Sequence, residues 1–377
     1  MRALASVAAA MIAAHTMASA STALAGPALL FDAYNGQVLY AEDADDAWYP
    51  ASLTKIMTAY LAFEALKAGK LTLDQKIPVS ELANAQTPSK VGLPVGGELS
   101  VELALQALIV KSANDVAVMF AEAIAGTEPA FVELMNAKAK HLGMSKTRFV
   151  NPHGLPGPEQ STSARDLAKL SRAIIRDFPE YAQYWTQPEM RIGNIRLRSH
   201  NALLRTYEGA DGIKTGFTCD AGFNVVASAT RDNRRLVAVV LGEPNGQQRS
   251  IRAAALLEHG FTTQGWKTLL GFSTVDAMAA PTETRPLTSA RSTVLAWSCG
   301  HRPKKIRVRK PPKIAEIKQK VANAKDKDKA AAVEPVAPAA ASTVAPSTVK
   351  AVPKSPAVAT APAPPAQVKK PTPVAAQ

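Results

Sequence analysis

Cysteine and histidine are scarce in this chain of 377 residues. The two cysteines, Cys219 and Cys299, are too few for a disulfide-built scaffold or for a structural zinc site with the usual four ligands. The six histidines are scattered, and no two stand at the spacing by which a helix presents a pair of metal ligands. No metal or other cofactor is therefore predicted. The two cysteines could form one disulfide or stay as free thiols.

Most of the chain lacks a surplus of positive charge, although the formal net charge is +13. Residues 302–377 contain 16 of the 44 Lys and Arg residues and only 4 of the 31 Asp and Glu residues. The remaining 28 basic and 27 acidic residues almost cancel. A basic groove for phosphate groups is therefore not predicted in the folded part, and no nucleic-acid partner is expected.

Long hydrophobic runs are missing as well, since none reaches the ~18 consecutive apolar residues that a membrane-spanning helix needs. The nearest candidate is residues 3–14, an apolar run that follows the positive start Met1-Arg2. The small-residue pattern Ala23-Leu24-Ala25 then matches the cleavage site of a secretory signal peptide. Residues 1–25 are accordingly predicted to be a signal peptide, and the mature protein is predicted to be exported to the periplasm or cell envelope.

Aromatic residues are absent from residues 302–377, which hold 13 of the 27 prolines together with Ala, Val and Lys. Such a composition cannot bury enough apolar surface to offset the entropy of an ordered chain. We therefore predict a disordered basic tail without the amphipathic pattern of a membrane-bound helix. The tail is expected either to be a solvated spacer or to make peripheral contact with anionic lipid or cell-wall polymer through its lysines.

The residues between these two ends show both strand and helix patterns. Residues 28–41 alternate as a β-hairpin does, with a turn at Tyr34-Asn35-Gly36. Helices are predicted over 52–68, 101–111, 115–125, 129–142, 164–176 and 248–259, and further strands over 212–217, 222–230 and 235–242. Because strands stand at both ends with helices between them, we predict one antiparallel sheet assembled from both ends of the domain.

Ser52 and Lys55 form a Ser-x-x-Lys motif at the start of the first predicted helix. Residues three apart share a helix face, so the amine can reach the hydroxyl. A serine hydroxyl becomes a nucleophile when an adjacent base takes its proton, and Lys55 can be that base only if burial and nearby positive charge keep it neutral. Alone the motif is weak evidence, because Ser347 and Lys350 repeat it in the tail.

Two further motifs contain residues suited to the same chemistry. Ser112-Ala113-Asn114 lies in the link between two predicted helices, where the hydroxyl can relay a proton and the amide can hold a carbonyl group. Lys214-Thr215-Gly216 lies on a predicted strand, where glycine lets a ligand approach the backbone. Each is weak alone, since a Ser-x-Asn is more often a helix cap or turn and Ser199-His200-Asn201 has the same spacing.

The combination of the three motifs is specific. They follow one another on a helix start, an inter-helix link and a strand, about 60 and 100 residues apart. In this arrangement the sequence resembles the D-alanyl-D-alanine carboxypeptidases, the low-molecular-weight penicillin-binding proteins of serine peptidase family S11. The likeness covers roughly residues 27–270. The longer stretches that support it are PASLTKIMT at 50–58, SAND at 112–115, NPHGL at 151–155 and DGIKTGFT at 211–218.

The resemblance implies an α/β (α+β) fold of the serine β-lactamase and penicillin-binding transpeptidase type. In that fold an antiparallel sheet is flanked by helices and joined to an all-helical subdomain. The catalytic domain would occupy residues 26–270. Relatives often carry a second, all-β domain and an amphipathic C-terminal anchor, but residues 271–301 are too few for that domain and are interpreted as a vestigial segment. Membrane anchoring by the family's route is therefore not expected.

The resemblance also implies a role for each motif residue in acyl transfer. Ser52 would attack the carbonyl carbon between two terminal D-alanines of a peptidoglycan stem peptide, and Lys55 would accept its proton. Ser112 would pass a proton to the leaving D-alanine, and Asn114 would orient the substrate amide. Lys214 would keep Lys55 uncharged. β-Lactams would acylate the same serine and act as covalent inhibitors.

Substrate binding is implied for four further positions, one of them Gly216, beside which the substrate would lie. The backbone N–H groups of Ser52 and Phe217 would form the oxyanion hole. The free carboxylate of the substrate would meet Thr215 and an arginine. Arg249 is the first choice for that arginine, because its spacing from the end of the closing helix matches the family, and Arg252 is the reserve.

Three other functions are compatible with the same motifs. A β-lactamase shares all three, but residues 139–157 contain no Glu or Asp to activate a deacylating water as in class A enzymes, so slow deacylation is predicted. A D,D-endopeptidase that cuts cross-links would use the same chemistry. The third is a catalytically inactive wall-binding scaffold, which the intact motifs oppose. His153, within Asn-Pro-His-Gly, is expected to order a loop rather than to act in catalysis.

Overall fold

The computed structural model describes residues 26–263, 273–279, 283–294 and 296–299. The predicted signal peptide at residues 1–25 and the predicted tail at residues 302–377 lie outside these residues. No helix in the described ranges is both long enough and apolar enough to cross a bilayer.

The described residues contain one large sheet and two small ones. The strands are β1 Ala28–Asp32, β2 Val38–Glu42, β3 Lys76–Pro78, β4 Glu98–Ser100, β5 Glu189–Ile192, β6 Ile195–Arg198, β7 Ala210–Thr218, β8 Gly222–Arg231 and β9 Arg234–Glu243. The large sheet is antiparallel, with the order β2-β1-β9-β8-β7, so an N-terminal hairpin joins three C-terminal strands. This confirms the predicted sheet built from both ends of the domain. Strand β7 forms one edge of it.

Helices cover the sheet and form a body beside it. They are α1 Lys55–Lys67, α2 Glu81–Asn84, α3 Val101–Gln106, α4 Asn114–Ala125, α5 Glu128–His141, α6 Ala164–Asp177, α7 Leu203–Thr206 and α8 Gly246–Thr262. A 3-10 turn, Ala51–Thr54, precedes α1, and a π-helical turn, Ala107–Lys111, continues α3. Helix α6 begins where predicted, because the Ser163 hydroxyl caps it by accepting the N–H of Asp166 at 3.1 Å.

Strand β9 is buried on both faces of the sheet, and its alternate residues belong to different cores. One set packs with α8 and comprises Leu236, Ala238 and Val240. The other set joins the larger core, to which α1, α4 and α6 contribute, and comprises Val237, Val239 and Leu241. Since successive side chains of a strand point to opposite faces, this division places helices on both sides of the sheet, as the predicted fold class requires.

Most predicted elements differ from the observed ones by only a few residues at their ends. The predicted strand over 212–217 extends over nine residues in β7, and the predicted helix over 101–111 is α3 plus the π-helical turn. The small sheets β3–β4 and β5–β6 were not predicted. Their strands have three or four residues, which is too short for a clear period-two pattern.

The described part of residues 271–301 packs against the main body. Val275 donates its N–H to the Gly36 carbonyl at 2.8 Å, beside the β1–β2 turn. Farther along, Cys299 forms a disulfide with Cys219, with the Cα atoms 5.7 Å apart. Of the two states that the sequence left open for these cysteines, the structure has the bonded one.

Candidate active site

Ser52 lies in the 3-10 turn that leads into α1, and Lys55 is the first residue of that helix. The three-residue spacing brings Lys55 Nζ to 3.0 Å from Ser52 Oγ. The lysine is almost completely buried. Its amine also donates to Asn114 Oδ1 and to the carbonyl oxygen of His153, each at 2.7 Å. The hydroxyl and the amine of the first motif are therefore in direct contact.

The charge state of Lys55 follows from these surroundings. Burial and the positive charge of Lys214 hold the pKa of Lys55 well below its ordinary value, and the negative charge of Asp115 only partly opposes them. The carboxylate of Asp115 is itself bound by the N–H groups of Val91 and Gly92 at 3.1 and 2.8 Å. A neutral amine next to a serine hydroxyl can act as a base.

Ser112 and Asn114 reach the same place from the link between α3 and α4. The π-helical turn ends at Ser112, which adopts a left-handed conformation with φ 61° and ψ 41°. Asn114 begins α4, and its amide nitrogen donates to the Thr87 carbonyl at 2.8 Å, which fixes the amide with its oxygen toward Lys55. The second motif thus supplies one hydroxyl and one oriented amide.

Lys214 extends from strand β7 toward Ser112. Its amine donates to Ser112 Oγ at 2.8 Å and to the Thr215 carbonyl at 3.1 Å. Burial and the charge of Arg249 lower the pKa of Lys214 to about 7. Each of the two motif serines is therefore in contact with one buried amine, Ser52 with Lys55 and Ser112 with Lys214.

Gly216 lets strand β7 lie directly against the 3-10 turn that carries Ser52. A Cβ atom at this position would lie 3.0 Å from the Ser52 nitrogen and 3.1 Å from the Pro50 carbonyl oxygen. These distances are closer than a side chain normally tolerates, so any other residue would push the strand away. The glycine of the third motif is explained by this approach of two backbones.

A cavity of about 360 Å³ opens beside these groups. Neither Asp nor Glu is among the residues that line it, which are Ser52, Pro88, Ser89, Ser112, Asn114, Gly154, Leu155, His200, Thr215, Gly216, Phe217, Thr218, Phe223 and Arg249. Arg249 comes from α8, is buried, and donates Nη2 to the His200 carbonyl at 3.1 Å; its Nε has no partner in the described residues. Arg252, the reserve choice, instead pairs with Glu42 and Glu243 at 2.8 and 2.9 Å.

The structure thus brings every residue proposed from the sequence to one place. Those that line the cavity or contact its lining are Ser52, Lys55, Ser112, Asn114, Lys214, Thr215, Gly216, Phe217 and Arg249. Sequence reasoning missed His200 and Phe223 as cavity residues, since neither stands in a motif that predicts such a place. His153 orders its loop as expected, because its ring Nδ1 accepts the N–H of Leu155 at 3.1 Å, but its carbonyl contact with Lys55 was not foreseen.

Comparisons with known proteins agree with this geometry. The family model described as D-alanyl-D-alanine carboxypeptidase, of peptidase family S11, matches residues 14–245. The curated D-alanyl-D-alanine carboxypeptidase DacA of Haemophilus influenzae is 40% identical over 248 residues, which are 64% of this chain and 63% of that protein. A D-alanyl-D-alanine endopeptidase of Pseudomonas aeruginosa is 35% identical over 227 residues, 57% of this chain and 70% of that protein.

The fold is shared with solved penicillin-binding proteins. The crystal structure of penicillin-binding protein 5 from Haemophilus influenzae superposes with a TM-score of 0.61 at 40% identity, covering 63% of this chain and 70% of that one. The chain covers less than two thirds of the length of the curated carboxypeptidases that it resembles. Because the family model nevertheless matches more than half of its residues, the chain belongs to the D-alanyl-D-alanine carboxypeptidase family, peptidase family S11.

Proposed function

We propose that this protein is a serine-type D-Ala-D-Ala carboxypeptidase. It removes the terminal D-alanine from peptidoglycan stem peptides through an acyl-enzyme on Ser52, and β-lactams acylate the same serine. The observation that carries the proposal is the contact of 3.0 Å between Ser52 Oγ and the buried amine of Lys55, whose pKa is held low. Family membership supports the same reaction.

Lys55 acts as the base for Ser52. A neutral amine has two N–H groups and one lone pair. The Asn114 side-chain oxygen and the His153 carbonyl can only accept, so they take the two N–H groups at 2.7 Å each. The lone pair is left for the hydroxyl proton of Ser52. The serine oxygen then attacks the substrate carbonyl carbon and the proton passes to Lys55.

The oxyanion that forms is held by backbone N–H groups of Ser52 and Phe217. The Thr215 carbonyl faces the cleft, where it accepts from Lys214, and alternate residues of a strand direct their main-chain groups to the same edge. The N–H of Phe217 therefore points into the cleft too. A Cβ atom on Gly216 would lie 3.0 Å from the Ser52 nitrogen, so the strand that carries Phe217 passes close to the Ser52 N–H. Loss of one such donor typically costs ~2.7–4 kcal/mol of transition-state stabilisation.

The leaving D-alanine is bound and protonated on the other side of Ser52. Its carboxylate meets Thr215 and Arg249, in a cavity without a lining carboxylate to repel it. The hydroxyl of Ser112 gives the departing amine its proton, and Lys214, 2.8 Å away, replaces that proton. Water then cleaves the ester on Ser52 and releases the shortened peptide. For a penicilloyl ester the same absence of a nearby carboxylate base predicts slow hydrolysis, hence inhibition rather than resistance.

A D,D-endopeptidase acting on cross-links is the second candidate, supported by the 35% identity to the endopeptidase of Pseudomonas aeruginosa. Both reactions cleave a D-Ala amide by the same steps. Incubation with a pentapeptide that ends in D-Ala-D-Ala, and separately with cross-linked muropeptides, followed by mass analysis of the products, separates them. Release of D-alanine alone supports the carboxypeptidase, and cleavage of the cross-link supports the endopeptidase.

Covalent labelling tests the enzyme against the inactive scaffold. We expect a fluorescent penicillin to give a band on a denaturing gel with the wild-type protein and none with Ser52→Ala. Thermal unfolding of the variant should stay within about 3 °C of the wild type, because a half-exposed hydroxyl is removed from a turn. A wild-type protein that takes no label would contradict the proposed function and support a wall-binding scaffold.

We further propose that the protein is exported through the signal peptide at residues 1–25 and acts in the periplasm. Residues 302–377, with a net charge of +12, make peripheral contact with anionic wall polymer or lipid. Co-sedimentation with wall material and with anionic vesicles at low and high salt tests this contact. Binding that is lost both at high salt and on deletion of residues 302–377 supports it, whereas no binding at low salt identifies a spacer.

A further inference from the structure

A strap formed by residues 283–294 and 296–299 packs on the main body and ends beside the candidate active site. Near its start, Arg285 pairs with Asp43 and Asp46 in the loop after β2. At its end, Cys299 is bonded to Cys219, in the turn between β7 and β8. This C-terminal strap therefore connects the loop after β2 to the turn that follows the Lys-Thr-Gly strand.

The strap holds two consecutive residues of that turn. Cys219 is held covalently, and Asp220 is held by three separate groups. The Ala290 N–H donates to the Asp220 carbonyl at 2.8 Å, and the side chains of Ser289 and Arg291 donate to its carboxylate at 2.6 and 3.0 Å. Such a density of contacts on one short turn fixes the position of its backbone.

The residues on either side of the turn form a wall of the cavity. Phe217 and Thr218 precede the turn, Phe223 follows it, and all three line the cavity. The rings of Phe217 and Phe223 lie 4.1 Å apart between their centroids. Among the strands of the described residues, β7 is an edge strand with a neighbour on one side only. The turn that ends it is therefore the place where this wall can shift most easily.

We infer that the strap positions the Phe217–Phe223 wall for substrate, with Ser289, Arg291 and Cys299 as its positioning residues. The inference rests on the proposed function for its kinetic consequence. Within the described residues the strap makes no hydrogen bond to Ser52, Lys55 or Lys214. The Phe217 N–H of the proposed oxyanion hole directly follows Gly216, which lies against the Ser52 turn. Release of the strap therefore moves the side chains of the wall and leaves these groups in place. A displaced wall then weakens substrate binding more than it slows turnover.

Arg291→Gln is the main test variant, because it removes the pair with Asp220 and leaves the disulfide intact. Arg176→Gln is a matched control, because the ion pair of Arg176 with Asp177 is about as exposed as that of Arg291 with Asp220. The arginine side chains are 62% and 60% exposed, respectively, and both aspartates are 27% exposed. Hydrogen exchange of the amides at 218–223 and the KM and kcat for a D-Ala-D-Ala pentapeptide are measured. We expect Arg291→Gln to speed this exchange up to about fivefold and raise KM about fivefold at little changed kcat.

The disulfide allows a second, independent test of the inference. Treatment with a dithiol transfers two electrons and two protons to the Cys219–Cys299 bond, leaving two thiols while the dithiol closes to its own disulfide. We expect the reduced protein and Cys219→Ser/Cys299→Ser to show the same changes in exchange at 218–223 and in KM. If both Arg291→Gln and the reduced protein have the same exchange rates and the same KM as the wild type, the inference is overturned. If the wild-type protein lacks activity, the proposed function fails, and the exchange data still decide the role of the strap.

Discussion

Arg249, Lys214 and Lys55 form a series of basic groups in which each affects the pKa of the next. The charge of Arg249 adds to burial in lowering the pKa of Lys214 to about 7. Lys214 in turn adds to burial in lowering the pKa of Lys55. The substrate's carboxylate is expected to bind at Arg249, the first member of the series. Binding of the substrate carboxylate and protonation of the base Lys55 are therefore linked through the side chains of Arg249 and Lys214.

Replacing Lys214 by alanine tests this link. At acidic pH Lys214 is charged and disfavours a proton on Lys55, so its loss should raise the pKa of Lys55. We expect the acid limb of the rate of acylation by penicillin to move to higher pH in Lys214→Ala, with a rate at pH 6 at least about tenfold lower. Lys169→Ala, which removes a lysine bound to the Gly143 carbonyl on another surface, is the control. An acid limb that stays in place would remove Lys214 from the control of Lys55.

Burial of Lys214 should also appear in the pH dependence of stability. In the folded protein the pKa of Lys214 is about 7, against an ordinary value of 10.5. Between these values the unfolded chain binds one more proton than the folded one, so stability rises with pH by about 1.4 kcal/mol per unit. In Lys214→Met this contribution is missing. Urea unfolding of both proteins from pH 7 to 10 should show that the unfolding free energy of the wild type rises, relative to that of the variant, by about 1.4 kcal/mol per pH unit. Unfolding free energies that change in parallel with pH would contradict this prediction.

For single residues of the candidate active site, the sequence predicted which motif residues lie together, but not every group that contacts them. Ser52, Lys55 and Asn114 stand in motifs whose spacing already implies contact. The carbonyl oxygen of His153 is a main-chain group, which every residue has, so no pattern identifies it. His200 lines the cavity from the loop between β6 and α7, where its carbonyl accepts from Arg249, and its Ser-x-Asn context appeared only as a chance copy of the second motif.

Helices and strands with a clear hydrophobic period were predicted from the sequence, and those without such a period were not. Helix α6 and the strands β8 and β9 have long hydrophobic repeats and end within three residues of their predicted bounds. The π-helical turn Ala107–Lys111 could not be distinguished from ordinary helix, because its hydrogen-bond pattern leaves no mark in the residue types. That turn is nevertheless what sets Ser112 in its left-handed conformation.

The loop at 151–157 offers a prediction at the scale of the element. A Cβ atom on Gly154, at φ 86°, would lie 1.8 Å from the Ala51 carbonyl oxygen, so Gly154→Ala must separate the loop from the 3-10 turn. We expect a loss of about 3 kcal/mol of unfolding free energy and slower acylation, as the His153 carbonyl moves off Lys55. Gly126→Ala, at φ 78° with no atom within 4 Å, should lose only about 1 kcal/mol. Equal losses in urea unfolding would refute the steric argument.

Over the whole molecule, the central sheet joins segments about two hundred residues apart, since β1 pairs with β9. The sequence predicted this closure from the order of its elements. It did not predict how residues 271–301 lie, because a short segment without periodic pattern gives no sign of what it packs against. The ion pairs of Arg285 and the disulfide of Cys299 show that the described part of this segment packs against the main body.

The disulfide should therefore contribute to the stability of the whole domain. It links residues separated by 80 positions, and closing a loop of that length lowers the entropy of the unfolded chain enough to stabilise the fold by about 4 kcal/mol. We expect the reduced protein to unfold at lower urea concentration by that free energy. Cys219→Ser/Cys299→Ser should match the reduced protein, and Arg291→Gln, which keeps the bond, should lose about 1 kcal/mol or less. A loss below about 1 kcal/mol on reduction would mean that the disulfide does not restrain the unfolded chain.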